Sequence, residues 1–140
     1  MYFCKTENYY HDIVRILSEL NYICKEFMRL IGKSKLTKLK LKNRGNTQLC
    51  SEIDTLIADF EDNHWQNATE LKITRTDADC VHNDGFYFFN ISVHRTMILL
   101  EFDDDGEATV IWTGTHQEYE RTFKNNKKTI EKWLKSKKYI

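Results

Sequence analysis

Three short apolar segments in the second half of the chain limit the possible folds more than any other feature. They read GFYFFNIS (85–92), RTMILLEF (95–102) and ATVIWTG (108–114), and turn residues separate them. Segments of this length that are rich in aromatic and β-branched residues predict β-strands. Because the connections between them are short, we expect three antiparallel strands that follow one another in a single sheet.

The first half of the chain has the spacing of helices instead. Apolar residues recur every three or four positions through 9–31 and again through 47–61, which predicts two amphipathic helices. Residues 63–72 are typical of a loop followed by one short helical turn. The segment KLTKLKLK (35–42) alternates leucine with lysine imperfectly and fits either a short edge strand or a basic linker, and NRGN (43–46) predicts a turn.

A final helix is expected near the C-terminus. Asn125 or Asn126 is a suitable N-cap, and Ile130, Trp133 and Leu134 form an apolar stripe after it. The order helix, helix, three strands, helix predicts an α+β fold, in which N-terminal helices and a C-terminal helix pack on a small antiparallel sheet. A chain of 140 residues is long enough for one compact unit with a sizeable core.

Charge is distributed unevenly, although basic and acidic side chains balance over the whole chain. Residues 1–48 carry ten basic and four acidic side chains, a net charge of +6. Residues 49–107 carry three and fourteen (−11), and residues 108–140 carry eight and three (+5). The basic ends are available to an anionic partner, and the acidic middle would repel an anion or bind a basic protein. The alternative is that these charges form solvated faces without a partner.

Cysteine spacing and hydropathy argue against several other classes of protein. The four cysteines lie far apart with no CxxC pair, which argues against a zinc knuckle or a thioredoxin-like motif. We therefore expect no metal and no cofactor. No apolar run approaches the roughly 18 residues of a membrane helix, and the N-terminus lacks the layout of a secretion signal. A cytoplasmic protein is expected.

The dipeptide Asp-Gly at 105–106 is a strong signal for a two-residue hairpin loop between the second and third strands. With that loop, residues whose numbers sum to a constant face each other across the hairpin. Leu99 would then face Trp112, and Arg95 would face His116.

A second tight turn, at 92–93, would place Asn90 of the first strand beside Arg95 of the second. Together the two turns predict one polar row across three strands, formed by Asn90, Arg95 and His116. Three further polar residues would follow just past the end of that row: Tyr119, Arg121 and Lys124.

Such a cluster suits the cleavage of RNA. The attacking 2′-hydroxyl needs a base, the leaving 5′-oxygen needs an acid, and the phosphate needs a fixed positive charge. His116 can exchange protons near neutral pH, and Arg95 can hold phosphate oxygens through paired hydrogen bonds. Tyr119 can stack on a base or hold the 2′-hydroxyl. This chemistry requires no metal.

Each of these side chains also has a structural explanation. His116 at a strand end can be a hydrogen-bonded histidine of the scaffold, and Arg95 can pair with an acid such as Glu118. Tyr119 and the residue four positions later, Phe123, can anchor the last helix in the core. A further histidine, His94, neighbours the cluster and can contribute to it.

The stretch FNIS…HRTMILLEF…ATVIWTGTHQEYE resembles the HigB family of toxins from bacterial toxin–antitoxin systems, a branch of the RelE-like fold. GTHQEY (114–119) is the most specific piece, and HWQNATELKITRTDAD (64–79) is similar to the family segment upstream of its first strand. The resemblance covers about residues 47–124. It implies a helical N-terminal extension over 1–34 and a RelE/HigB-like toxin domain over 35–140, within one compact unit.

Members of that family are ribosome-dependent mRNA endonucleases that a helix-turn-helix antitoxin neutralises. The resemblance therefore implies an mRNA interferase that inhibits translation by metal-independent RNA cleavage. Carried over by position, it implies catalytic roles for Arg95, His116 and Tyr119. It implies an RNA-binding role for Asn90, and we expect three residues near the cluster to bind RNA as well: His94, Arg121 and Lys124.

The chain departs from the family pattern in two places. Between FNI and the arginine strand it has SVH (92–94), where the family has a turn of the glycine–asparagine type. Where the family tends to carry an arginine, two residues before the glycine of GTH, it has Trp112, which leaves Arg121 or Lys124 as a replacement. The alternatives are a non-catalytic RelE-fold module that binds RNA or protein, and a RelE-fold toxin that acts on DNA gyrase.

Overall fold

The computed structural model describes residues 28–103 and 106–140, so the predicted helix 9–31 lies almost entirely outside the described residues. At its end, Arg29–Ile31 form a strand and not the last turn of a helix, because they pair with the sheet. The boundary at residue 34 stays a prediction. In chain order the elements are β1 (Arg29–Ile31), α1 (Lys33–Lys42), α2 (Thr47–Asp62), α3 (Ala68–Thr74), β2 (Asp79–His82), β3 (Phe86–Ile91), β4 (His94–Glu101), β5 (Glu107–Thr115), α4 (His116–Phe123) and α5 (Lys127–Ser136).

The strands form one mixed sheet in the order β1-β5-β4-β3-β2. The three predicted strands are confirmed as β3, β4 and β5, which are antiparallel neighbours. Two edge strands add to them: β1 runs parallel to β5, and β2 runs antiparallel to β3. Neither edge strand is predicted from the sequence, because three or four residues are too few to show alternation.

Helices cover both faces of the sheet, and the predicted α+β fold is confirmed. We call these surfaces the α1–α3 face and the α4–α5 face, after the helices that pack on them. The core of the α1–α3 face includes Leu36, Leu49, Phe60, Leu71, Phe89 and Ile98. The core of the α4–α5 face includes Phe88, Met97, Tyr119, Phe123, Ile130 and Leu134.

The segment 35–42 belongs to helix α1, so both predicted alternatives, an edge strand and a linker, are wrong. Leu36 and Leu39 are three positions apart and both pack into the core of the α1–α3 face, which is the spacing of a helix. Lys40 and Lys42 lie in the last turn, where positive charge is favourable to the helix dipole. The imperfect leucine–lysine alternation concealed this apolar stripe.

The other predicted helices are confirmed close to their expected bounds. α2 starts at Thr47, and α3 supplies the short helical turn expected before residue 72. Asn126 is the N-cap of α5, since its side-chain oxygen accepts hydrogen bonds from the backbone N–H groups of Lys128 and Thr129. Within the part of the chain that the structure describes, no helix has the length and apolarity needed to cross a membrane.

The register predicted for the β4–β5 hairpin is wrong. The ladder ends at the pair Glu101–Glu107, so the connection is longer than two residues. A bulge at Ile111 then shifts the register, and Lys35 covers it by donating hydrogen bonds to the carbonyl oxygens of Val110 and Ile111, each at 3.2 Å.

Both predicted contacts across that hairpin change as a result. Leu99 faces Thr109 and not Trp112. Arg95 faces Gly114 and not His116, which is the first residue of helix α4.

The turn between β3 and β4 is confirmed where it was expected. Ile91 pairs with His94, so Ser92 and Val93 form the turn, and Asn90 pairs with Arg95. Ser92 has a φ of 59°, and its backbone N–H donates a hydrogen bond to the carboxylate of Glu52 on α2. A side chain from the α1–α3 face therefore holds this turn in place.

Candidate active site

The row of residues across the middle strands differs from the predicted row at one position. Asn90, Arg95 and Gly114 are neighbours across β3, β4 and β5. Side chains alternate along a strand, and Phe88 and Met97, two positions from Asn90 and Arg95, lie in the core of the α4–α5 face. Asn90 and Arg95 therefore point to that face, near the end of the sheet where α4 begins.

Gly114 provides no side chain to this row, and the geometry admits none. A Cβ at that position would lie 2.6 Å from the indole ring of Trp112 and 2.5 Å from Oε2 of Glu118. The glycine of the GTH motif is thus required by the close approach of Trp112 and Glu118. Next to it, the side chain of Arg95 is half-buried.

The Tyr119 ring supports Arg95. The Arg95 Cζ lies 4.2 Å from the ring centroid, which is a cation–π contact. Tyr119 is only 1% exposed, and its hydroxyl donates a hydrogen bond to Oδ1 of Asn125 at 2.9 Å. A buried and hydrogen-bonded ring is well placed to fix the direction of the guanidinium.

Burial raises the pKa of the Tyr119 phenol above its ordinary value of 10.0. The positive charge of Arg95 opposes this rise, and the carboxylates of Asp79 and Glu120 add to it. The phenol is therefore protonated at neutral pH, where it acts as a donor to Asn125. The predicted catalytic role of Tyr119 stays a prediction, and this position favours a supporting role beneath Arg95.

His116 lies at the start of α4, at the exposed margin of the same ring. Its imidazole stacks on Tyr119 with ring centroids 6.0 Å apart and an interplanar angle of 21°. Its Nε2 lies 3.6 Å from a carboxylate oxygen of Glu120, and its side chain is 56% exposed. Tyr119 thus brings Arg95 and His116 together, although they are not partners across the hairpin.

A capping box fixes the start of α4, and with it the position of His116. The hydroxyl of Thr115 accepts the backbone N–H of Glu118 at 3.1 Å, and the Glu118 carboxylate accepts the backbone N–H of Thr115 at 2.8 Å. The sequence signal for this helix start is the spacing T-x-x-E at 115–118. The Glu118 carboxylate binds the backbone N–H of Thr115, whereas the structural alternative predicted that it would pair with Arg95.

His94 lies beside Arg95 in sequence, but alternation directs it to the opposite face of β4. It is 8% exposed, and its Nδ1 is buried with no hydrogen-bond partner among the described residues. Burial lowers the pKa of His94 below 6.5, and the nearby Glu118 carboxylate partly opposes that shift. The predicted RNA-binding role of His94 stays a prediction, and its burial favours a role in the scaffold.

Arg121 and Lys124 are exposed at the end of α4. Lys124 is the C-cap and has a left-handed backbone with a φ of 54°. The lysines of α5 follow them along the chain and are also exposed: Lys127, Lys128, Lys132 and Lys135. We call this series of six exposed basic residues the basic strip, and its first member, Arg121, follows His116 on the same helix.

Two contributors to the site, Asp79 and Asn125, are not predicted from the sequence. Asp79 faces Phe88 across β2–β3, which places its charge near Tyr119. Strand β2 is too short to reveal itself by alternation, so no pattern identifies Asp79. The sequence indicates Asn125 only as a possible N-cap, because its contact with Tyr119 depends on the packing of helix α4, which no local pattern predicts.

The site lies on the surface of the protein, apart from two cavities that the described residues form. Cavities of about 690 and 490 Å³ flank strand β2, and neither is lined by Asn90, Arg95 or His116. In the ranges 28–103 and 106–140, no group of three or more His, Cys, Asp or Glu side chains is arranged to hold a metal ion. An open surface of this kind suits an extended polymer better than a small molecule.

Comparison with known protein families gives a match over residues 50–122, which is more than half of the chain. The matching model is described as HigB_toxin, a RelE-like toxic component of a toxin–antitoxin system. The chain belongs to the HigB family of RelE-like toxins. A search of curated proteins finds no match to this toxin.

The matched region of the toxin begins inside α2 and ends within α4. It contains six of the seven candidate site residues: Asn90, His94, Arg95, His116, Tyr119 and Arg121. Lys124 and the lysines of α5 lie outside it. Since the family is the toxic half of a toxin–antitoxin pair, its members have an antitoxin as partner.

Proposed function

We propose that the toxin inhibits translation by cutting mRNA on the ribosome, in the cytoplasm, without a metal ion. The observation that supports this most directly is the pairing of Arg95 and His116 on one buried ring, at the open end of the sheet. In cleavage of a phosphodiester by an internal hydroxyl, an exposed imidazole can act as the base and a fixed guanidinium can stabilise the charge on the phosphate.

In this proposal His116 accepts the proton of the 2′-hydroxyl, and the resulting oxygen forms a bond to phosphorus. Arg95 holds the phosphate oxygens while negative charge increases on them. The bond to the 5′-oxygen then breaks, and that oxygen takes a proton from water. Tyr119 keeps Arg95 and His116 in place, and the exposed amide of Asn90 binds the nucleotide next to the cut.

The basic strip supplies the contact with ribosomal and messenger RNA. Arg121 and Lys124 are closest to the cluster along the chain, and they provide the positive charge that the family arginine would provide at the position of Trp112. Phosphate contacts of this kind give affinity without sequence preference. The proposed antitoxin is a helix-turn-helix protein that binds the toxin and stops cleavage.

One observation favours a second function, a RelE-fold module that binds RNA or protein without cutting. Trp112 packs edge-to-face on Phe88 and Phe123, with ring centroids 6.2 and 5.1 Å away. The position where the family tends to have an arginine is therefore part of the apolar core. If Arg121 and Lys124 do not replace that charge, the protein would bind RNA and leave it intact.

Expression of the toxin without its antitoxin tests the proposal. We expect growth to stop and translation to fall, and we expect Arg95→Ala and His116→Ala to restore both. Arg29→Ala is the matched control, because Arg29 is exposed and its ion pair is with Glu107 at the other end of the sheet from His116. Normal growth with the wild-type toxin would refute the proposal, and loss of DNA supercoiling with normal translation would indicate gyrase as the target.

A further inference from the structure

A group of charged side chains holds the backbone of Asn90 at the point where the sheet ladder stops. The last pair between β2 and β3 joins Asp79 to Phe88, so Asn90 lies two residues beyond the end of this ladder. On its other side Asn90 pairs with Arg95. On the β2 side, therefore, no described strand supplies hydrogen bonds to the backbone N–H and carbonyl of Asn90.

Asp77 and Arg75 take the place of the missing strand. The backbone N–H of Asn90 donates a hydrogen bond to Oδ2 of Asp77 at 2.8 Å. The backbone carbonyl of Asn90 accepts a hydrogen bond from a terminal nitrogen of Arg75 at 3.3 Å. The same nitrogen donates to Oδ2 of Asp77 at 2.7 Å, so the two side chains bind the backbone N–H and the backbone carbonyl of Asn90, and they also bind each other.

The guanidinium of Arg75 is anchored on further sides. Its other terminal nitrogen donates to Oδ2 of Asp59 on α2 at 3.3 Å, and its Cζ lies 5.8 Å from the ring centroid of Phe89. Its Nε is buried with no partner among the described residues. A lysine has a single nitrogen on a flexible stem and cannot reproduce this planar arrangement of donors.

We propose that Arg75 and Asp77 form a positioning clip for Asn90, which sets the distance and direction of the Asn90 side chain relative to Arg95 and the bound nucleotide. The effect of the clip on catalysis rests on the proposed RNA cleavage. Its effect on the position of Asn90 rests on the hydrogen bonds alone. Arg75 and Asp77 lie on the α1–α3 side of β3, so they act through Asn90 and do not touch RNA.

A double-mutant cycle on the cleavage rate tests the catalytic consequence. Asp77→Ala is expected to lower the rate about tenfold, because small displacements of a positioning group are costly. In an Asn90→Ala background, Asp77→Ala should cause no further loss, because the residue that it positions is already absent. Asp77→Asn keeps an oxygen acceptor and should recover most of the rate, whereas Arg75→Lys should not.

The matched control is Asp54→Ala, which removes the acid of an exposed ion pair between Asp54 on α2 and Lys40 on α1 and should leave the rate unchanged. Independent and multiplicative losses from Asp77→Ala and Asn90→Ala would overturn the clip, because a general loss of stability acts without Asn90. A full rate in Asp77→Ala would overturn it as well.

Hydrogen exchange of the Asn90 amide separates failure of the clip from failure of the proposed function. We expect this amide to exchange about tenfold faster or more in Asp77→Ala than in the wild type, with no such change in Asp54→Ala. If the wild-type toxin cuts no RNA but this amide loses protection, the clip stands and RNA cleavage is wrong. Equal exchange in Asp77→Ala and the wild type overturns the clip, whether or not the toxin cuts RNA.

Discussion

At the scale of single residues, one buried ring determines how the exposed polar groups of the site are arranged. Tyr119 contacts Arg95 through a cation–π interaction and His116 through ring stacking. Its hydroxyl bonds to Asn125. The ring therefore positions Arg95 and His116, whereas the hydroxyl binds Asn125, and substitutions can test the two effects separately.

Tyr119→Phe keeps the ring and removes the hydroxyl, so Arg95 and His116 should keep their places. We expect most of the cleavage rate to remain, with a loss of about 1 kcal/mol in the free energy of unfolding for the hydrogen bond to Asn125. Tyr119→Leu removes the ring and should reduce the rate as strongly as Arg95→Ala does. Equal rates for Tyr119→Phe and Tyr119→Leu would show that the ring does not position Arg95.

His94 should make the stability of the toxin sensitive to mild acid. Its pKa in the folded state is lowered below 6.5 by burial, so the unfolded state binds the proton more readily. The contribution of neutral His94 to the free energy of unfolding is therefore complete above about pH 6.5. It decreases as the pH falls below that value, until the pKa of His94 in the folded state is reached.

Urea unfolding at a series of pH values measures this effect, and His94→Gln is the comparison because it cannot titrate. We expect the loss of stability below pH 6.5 to be smaller in His94→Gln than in the wild type. Parallel pH profiles for the two proteins would mean that His94 does not contribute.

At the scale of elements, the start of α4 determines where His116 lies. The capping box of Thr115 and Glu118 ends β5 and begins the helix at His116. In the observed register a continued strand would have placed His116 opposite Val93, and the backbone N–H of His116 does donate a hydrogen bond to the Val93 carbonyl at 2.8 Å. The chain instead brings His116 to the Tyr119 ring, three residues further along the same helix.

Thr115→Ala removes the hydroxyl that caps α4 and should lower the free energy of unfolding by about 1 kcal/mol. The first turn of α4 should loosen, and the cleavage rate should fall because His116 moves with it. Thr115→Ser keeps the capping oxygen and serves as the control, with stability and rate near those of the wild type. A lower stability with an unchanged rate would mean that His116 needs no fixed helix start.

Much of the fold follows from local patterns, but the register does not. The three long strands and the N-cap at Asn126 depend on neighbouring residues and were predictable from them. The β4–β5 register depends on a bulge at Ile111, which Lys35 stabilises from a distant part of the chain. The contact between Arg95 and Tyr119 requires the packing of α4 on the sheet, which no local pattern contains.

Across the protein, basic side chains occur on both faces of the sheet. The basic strip belongs to α4 and α5, and the five lysines of α1 lie on the α1–α3 face. The acidic side chains of residues 49–107 are concentrated in α2, α3 and the strands that follow. Phosphate would be repelled by the acidic residues and attracted by either group of lysines, so the salt dependence of binding must be compared for the two groups.

Binding to ribosomes should weaken steeply as the salt concentration rises, because cations are released when lysines contact phosphates. Replacing Lys127 and Lys128 by alanine should reduce the slope of log K against log salt by about two, roughly one for each phosphate contact. The control replaces Lys38 and Lys42, which lie on α1 across the sheet, and should leave the slope unchanged. Equal slopes for the wild type and the Lys127/Lys128 variant would exclude this part of the basic strip from the interface.

In the proposed mechanism, Arg95 and His116 cut mRNA on the ribosome. Mapping of mRNA 5′ ends in a purified translation reaction tests it most directly, with the wild-type toxin, Arg95→Ala, His116→Ala and the Arg29→Ala control. We predict new ends with wild type and Arg29→Ala, and only when ribosomes are present. These ends should still form when a metal chelator is added after the ribosomes have assembled on the message. Arg95→Ala and His116→Ala should produce none. Intact mRNA with the wild-type toxin would refute the proposed cleavage. New ends with Arg95→Ala and His116→Ala that are as abundant as those with the wild type would refute the roles of these two residues.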